Sequence, residues 1–261
     1  MKRLKKWANH VLIDGLSGMA QGLFATLIIG TIIQQIGTFA GGDLGNLIFL
    51  TGKVAAAMTG AGIGVGVACR FQAPPLVVIS AAIAGMSGAF ASQILNGTVL
   101  MEGAIVLSGP GEPLGAFLAA YVGIEIGKLV SGKTKVDILV TPLIVIGSGA
   151  CVGLTVGPPI SAFMQWLGSL INWGTEQQPL LMGIIVSVLM GMILTLPISS
   201  AALGVILNLS GLAAGAATVG CCCNMVGFAV ASYRENKIGG LLAQGIGTSM
   251  LQVPNIVRKP I

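Results

Sequence analysis

The sequence predicts an all-α, polytopic transmembrane helical bundle of about 7–9 membrane segments, some of them re-entrant or broken helices. Three observations predict it. From Gln177 to Tyr233 the chain runs for 57 residues without one Asp, Glu, Lys or Arg, and about 20 helical residues suffice to cross a 30 Å hydrocarbon core. Charged residues are 8% of the chain, against about 25% in soluble domains, and the mean hydropathy is +0.95. Glycine numbers 40 in 261 residues, about twice its usual share, which lets helix backbones approach closely in lipid. The apolar segments are continuous instead of alternating, which argues against a β-barrel.

The elements follow in order. Residues 11–36 form the first span. It is too long for the apolar core of a cleaved signal and carries Asp14 and Gln21, so it is read as retained. Further spans are expected at 46–69, 74–95, 113–130, 137–156 and 179–196. Residues 96–112 are too polar and Gly-rich to span, and 157–175 open on Gly157-Pro158-Pro159 and carry Trp166 and Trp173, which favour the headgroup zone. Each is expected to be an external hairpin or a re-entrant element. Pro197 breaks the helical pattern, so 197–218 is either a short span or a re-entrant hairpin. Residues 238–254 are either re-entrant or a last crossing that places Arg258 and Lys259 outside. Small-xxx-small spacings recur at Gly18/Gly22, Gly60/Gly64, Gly62/Gly66, Gly123/Gly127, Gly149/Gly153/Gly157 and Gly211/Gly215, as expected of a tightly packed bundle. A faint internal repeat relates 75–79 to 142–146 and 62–66 to 123–127.

The net charge of +5 is distributed as membrane insertion requires, not as nucleic-acid binding does. Lys2, Arg3, Lys5, Lys6, Arg70, Lys128, Lys133, Lys135, Arg234 and Lys237 fall on alternate connections, and those around Asp43, Glu102/Glu112 and Glu176 hold no Lys or Arg. Basic connections mark the cytoplasmic side, so the N-terminus and the loop at Lys133 are expected inside.

Chemistry inside the spans rests on few residues. Glu125 stands one turn before Lys128 on the same helix face. It is either half of an ion pair or a carboxylate that binds substrate or a proton in a cavity. The Gly-rich helix around it tilts the reading toward binding. Asp14 and Lys53 are expected to reach the interface. Glu112 lies in Gly109-Pro110-Gly111-Glu112-Pro113, ahead of a Pro-started helix whose free N–H groups point into the same volume, a setting that suits polyol hydroxyls. Ser199, Ser200 and Asn208 place polar groups near the break at Pro197. Together Glu112, Glu125, Ser199, Ser200 and Asn208 are the candidate substrate-binding residues. Cys221, Cys222 and Cys223 are consecutive and do not form a spaced metal site, and the single His, His10, lies in the basic N-terminal segment. Neither a catalytic residue, a metal site nor a cofactor is expected.

The segments Gly115-Ala116-Phe117, 125–137 (EIGKLVSGKTKVD), Gly157-Pro158-Pro159, 196–202 (LPISSAA) and 231–236 (ASYREN) together resemble the EIIC-like membrane permease family of the bacterial sugar phosphotransferase system. The resemblance covers nearly the whole chain, as a single EIIC-like transmembrane domain over 1–261 with room for a further C-terminal segment. The branch is similar to one that includes a proposed membrane regulator of a clostridial pore-forming toxin. The resemblance implies a permease of the bacterial cytoplasmic membrane. Such a protein takes a sugar or similar small hydroxylated solute from outside, hands it to separate EIIB and EIIA partners, and works as a homodimer. At most the chain is then the membrane subunit of a sugar phosphotransferase. The alternative is an EIIC-fold sensor or regulator without transport.

The charge pattern has a direct test. In a cysteine-free background, an impermeant maleimide added from outside should modify Asp43→Cys and miss Gly132→Cys. Modification of the latter would invert the topology.

Overall fold

A computed structural model describes residues 10–101, 103–175, 177, 179–195, 209, 211–252 and 255–256. It divides into two compact units, Met1–Ile160 and Ser161–Ile261. Apart from one two-residue strand pair, the regular structure of the described residues is helical. Large side chains such as Phe39, Leu143 and Leu180 are 83%, 75% and 84% exposed on helix surfaces, which only a hydrocarbon solvent accommodates.

In the first unit, a wide-wound turn His10–Gly15 leads into α1 (Leu16–Ala40), which is π-wound at Phe24–Ile28. A tight turn at Gly41 and Gly42, with φ of +64° and +62°, reverses the chain into α2 (Gly42–Ala57). A Cβ on Gly30 would lie 2.8 Å from the Gly52 carbonyl oxygen, and one on Gly37 2.6 Å from that of Gly45. This glycine pairing at seven-residue spacing is one the four-residue pattern does not find. Next, α2 and α3 (Thr59–Arg70) meet at a 54° bend, so the expected span 46–69 is broken at Met58. The buried Thr59 hydroxyl donates to the Ala56 carbonyl, 2.6 Å away, and so satisfies a backbone group that the break releases.

The glycines of α3 serve two neighbours. Gly62 and Gly66 face α1, where a Cβ on Gly22 would come 2.2 Å from the Gly62 oxygen and one on Gly18 2.6 Å from the Gly66 oxygen. Gly60 and Gly64 face α4 (Pro75–Ala89), where the corresponding distances are 2.9 Å to the Gly85 oxygen and 2.1 Å to that of Ala81. Side chains at these positions would hold the helices apart, and in lipid no hydrophobic force would press them together again.

A break at Phe90 separates α4 from the short α5 (Ala91–Leu95). The stretch after it is a hairpin, the first of the two expected forms. Strands β1 (Leu100–Met101) and β2 (Ala104–Ile105) pair antiparallel, and the Gln93 amide donates to the Ser108 carbonyl at 2.9 Å. Then α6 (Pro113–Val130), as expected from the sequence, buries a Gly/Ala face against α3 and α4. In α7 (Asp137–Thr175), Asp137 accepts the Gly132 N–H and the Thr141 hydroxyl, which fixes the start of the helix. Gly149, Gly153 and Gly157 lie against Ala84, Gly88 and Ala91.

The continuity of α7 corrects the expectation for 157–175. Pro158 and Pro159 remove two backbone donors, but the chain keeps helical winding through Thr175 and opens neither a hairpin nor a re-entrant turn. A proline's fixed φ is compatible with a helix, and a helix in a membrane tolerates the missing donors when neighbours satisfy the freed carbonyls.

In the second unit α8 (Pro179–Thr195) packs on α9 (Gly211–Ala231). A Cβ on Gly220 would lie 2.0 Å from the Ser187 oxygen, and the Ser187 hydroxyl donates to the Ala216 carbonyl at 2.8 Å. Among the described residues nothing lies within 4 Å of a Cβ on Gly211 or Gly215. The remainder, α10 (Tyr233–Leu242) with a π-turn Ala243–Gly247 and a 3₁₀ turn Ser249–Gln252, is a series of short pieces and not one long span.

The glycine contacts differ in what they predict for substitution. Gly22→Leu drives a side chain into the α3 backbone and should destabilise the protein by about 1–3 kcal/mol. Gly147→Leu, where nothing lies within 4 Å, should leave the melting temperature unchanged or slightly raised. Thermal melts of the purified variants in detergent check both.

Candidate functional site

Two carboxylates that the sequence singles out, Glu112 and Glu125, belong to the same helix, one just before its start and one near its end. Between them lie 125 − 112 = 13 steps of chain, or about 20 Å of helix rise. The structure therefore does not bring them to one small ligand. They form two separate polar stations along α6.

At the C-terminal end of α6, Glu125 is the centre of an ionic cluster. Its Oε1 accepts from Lys128 Nζ at 3.2 Å and faces His10 Nε2 at 3.4 Å. The other His10 ring nitrogen, Nδ1, lies 3.9 Å from Asp14 Oδ2, and Asp14 Oδ1 is 3.6 Å from an Arg70 guanidinium nitrogen. The His10 ring stacks on Phe71 with centroids 4.0 Å apart, and Lys128 Nζ stands 5.0 Å from the same ring. Phe71, Tyr121 and Phe117 continue the aromatic series. Gly15 admits this packing, because a Cβ there would come 3.0 Å from the Phe117 ring.

Asp14 is thus held by Arg70 and His10 while its side chain stays 40% exposed, partners that the sequence reading did not name. The reason is tertiary. The entry turn of α1, the end of α3 and the last turns of α6 converge, and their two carboxylates and two fixed cations cancel around the imidazole. The Glu125–Lys128 spacing is visible in sequence. The 115-residue link from His10 to Glu125 is not. Every member of the cluster keeps 27–43% of its side chain exposed, so each pair is worth at most about 1 kcal/mol where water reaches it.

At the other end, the Gly111-Glu112-Pro113 turn closes against the broken helix α4–α5. The Glu112 N–H donates to the Ala89 carbonyl at 2.8 Å, satisfying a group left free by the break at Phe90. Gly111, with φ of +74°, has no room for a side chain, since a Cβ would lie 2.7 Å from that of Ala89. The Glu112 Oε1 atom is buried with no hydrogen-bond partner. Burial pushes this carboxyl up to about 7, while the Leu114 N–H pulls the other way.

Ser199, Ser200 and Asn208, with Pro197, lie outside the described residues. Cys221 packs its thiol toward the Met190 carbonyl, 3.9 Å away, while Cys222 and Cys223 are exposed on α9. Lys53 is exposed on α2.

The raised Glu112 carboxyl has a signed consequence. A folded value of about 7 above the ordinary 4.5 means that the fold binds this proton more tightly than the unfolded chain does. The resulting stability is full below pH 4.5 and is lost as pH rises through 7. Between pH 5 and 8 the unfolding free energy of the native protein should fall relative to that of Glu112→Gln by on the order of 2 kcal/mol, and its melting temperature should fall with it. Parallel curves for the two proteins would contradict this.

Comparison with known proteins supplies the family. No curated protein and no solved structure matches the chain. A family model described as "Phosphotransferase system, EIIC" matches residues 13–261. That match takes in the whole of α1, both stations of α6 and the second unit, and among the described residues four helices are long and apolar enough to cross a membrane, with a bent pair as a fifth. The chain is an integral membrane protein that belongs to the phosphotransferase system EIIC family.

Proposed function

We propose that the chain is the permease component that binds a sugar, or a similar small hydroxylated solute, and carries it across the bacterial cytoplasmic membrane. A separate EIIB protein, charged by EIIA, takes the phosphotransfer step on the inner side. The observation that carries this reading is the family match over residues 13–261. Two features of the first unit support it. Glu112, just before α6, and Glu125, near its end, put hydrogen-bonding carboxylates at two levels along a helix whose buried face is mostly Gly and Ala with Phe117 and Ile124, and ionisable groups of this kind mark solute pathways. Broken helices at Met58 and Phe90 bring backbone carbonyls to membrane depth, where transporters place their binding sites. In this reading Glu112, Glu125, Ser199, Ser200 and Asn208 line the pathway, the N-terminus lies inside, and the carrier is a homodimer.

Liposomes containing the purified protein should accumulate at least one labelled sugar from a broad panel. Pull-down from membranes should recover an EIIB protein. No uptake, with recovery of a signalling protein, would instead support an EIIC-fold sensor.

Glu125 separates pairing from solute binding. Glu125→Gln should lower uptake at least tenfold and reduce stability by about 1 kcal/mol. Adding Lys128→Gln should restore the melting temperature in part, since His10 still lacks its carboxylate, and should leave uptake low. Uptake that recovers in the double variant would make Glu125 a structural partner only.

A further inference from the structure

The second unit contains a cavity of about 570 Å³ where α9 ends and the chain turns back on itself. This falls within the range of about 300–1,000 Å³ typical of small-molecule sites. Apart from Ala231 its lining has no aliphatic side chain among the described residues. Phe228, Ser232, Glu235, Asn236, Gln252 and Asn255 face it. Behind them the unit buries further uncharged polar groups: Gln244 and Thr248 are each 4% exposed, and Ser249 is wholly buried.

The hydrogen bonds show which of these groups are occupied. The Ser232 hydroxyl donates to Gln244 Oε1 at 3.2 Å, which leaves its own oxygen free to accept. The Asn255 amide donates to Gln252 Oε1 at 2.8 Å. Gln252 is 7% exposed, and its Nε2 is buried with no acceptor. A buried amide donor left unpaired costs about 1–3 kcal/mol. Gln252 lines the cavity, and a turn of its side chain toward an acceptor bound there would supply the missing partner.

We infer that this cavity is a binding site for a neutral polyhydroxylated solute of the monosaccharide or hexitol class. The Gln252 amide donates to one hydroxyl oxygen. The Glu235 carboxylate accepts from a neighbouring O–H, and the Ser232 and Asn236 groups complete a mixed donor and acceptor set. A hydroxyl both donates and accepts, so several on one solute can pair with each of these groups. The Phe228 ring supplies an apolar face for C–H groups. Among the described residues the lining carries one charged group, the Glu235 carboxylate, which repels a phosphate ester and so favours the free solute over its phosphorylated form. The inference rests on the carrier reading and deepens it by placing solute recognition at the end of α9.

The test uses full-length protein in detergent. In a cysteine-free background, maleimide modification of Ser232→Cys should slow at least threefold in the presence of neutral hexoses, pentoses and hexitols. Glucose 6-phosphate should give no protection. For the solute that protects best, calorimetric titration should show Kd raised at least tenfold by Gln252→Leu and by Glu235→Gln. Glu235→Gln is nearly isosteric and serves if Gln252→Leu fails to fold as a monodisperse species. A sugar that is taken up by liposomes while Ser232→Cys stays unprotected and both variants bind normally would overturn this site and leave the carrier reading standing. Protection by the phosphate ester in place of the neutral solute would overturn the ligand class. An absence of binding by any neutral carbohydrate, with no uptake, would remove both readings.

Discussion

Backbone meeting backbone at glycine is the contact on which the first unit depends. Hydrocarbon solvates a leucine as well as another helix does, so apolar burial does not drive helices together in a bilayer. What remains is close approach, which adds many small dispersion contacts and weak Cα–H hydrogen bonds. Gly18 and Gly22 on α1 lie against Gly62 and Gly66 on α3, whose other face sets Gly60 and Gly64 against Gly85 and Ala81 of α4. Gly88 and Gly115 repeat the arrangement between α4 and α6. One helix, α3, is thereby locked from two sides with almost no side chain in between. The bulky apolar residues are left to face outward, as Phe39 and Leu143 do.

Helices this close have little room for polar chemistry along their length, so it collects where the helices begin, end or break. The break at Met58 is met by the Thr59 hydroxyl and that at Phe90 by the Glu112 N–H. The converging ends of α1, α3 and α6 hold the ionic cluster around His10. Its partners neutralise one another without enclosure. Glu112 is the reverse case, a single carboxyl with a buried and unpaired oxygen, and it meets its surroundings by holding a proton near neutral pH.

The second unit handles polarity by other means. Around the end of α9 the polar groups of Gln244, Thr248, Ser249 and Gln252 that are buried are hydroxyls and amides, which are far less costly than ions to remove from water. Ser232 bonds to Gln244 and Asn255 to Gln252, and the Gln252 amide keeps a donor over. Neutral groups of this kind hold a neutral solute without trapping it, because each bond formed replaces one of comparable strength in water.

Much of the fold was legible from residue types alone. A 57-residue uncharged run and an 8% charge content require a bilayer whatever the packing, because no soluble core could enclose that much apolar surface. Pro113 and the basic residue Lys128 mark the two ends of α6, and the residues found in that helix are those expected. The glycine spacings were visible too, but which of them meet was not. Gly62 and Gly66 found a partner helix, whereas Gly211 and Gly215 meet none among the described residues, since a spacing describes one helix face and a contact needs two. Pro158 and Pro159 pointed to a break that the chain does not make. Of the candidate site, the Glu125–Lys128 pair could be read from helical spacing. The approach of His10, Asp14 and Arg70, and the closing of Gln252 on Asn255 beside Ser232, depend on where distant segments or irregular turns come to rest. Sequence by itself determined the solvent, the helices and the family resemblance, because these follow from local composition and period. Only the tertiary structure decided which polar groups share a site, because that depends on long-range convergence that no local pattern encodes.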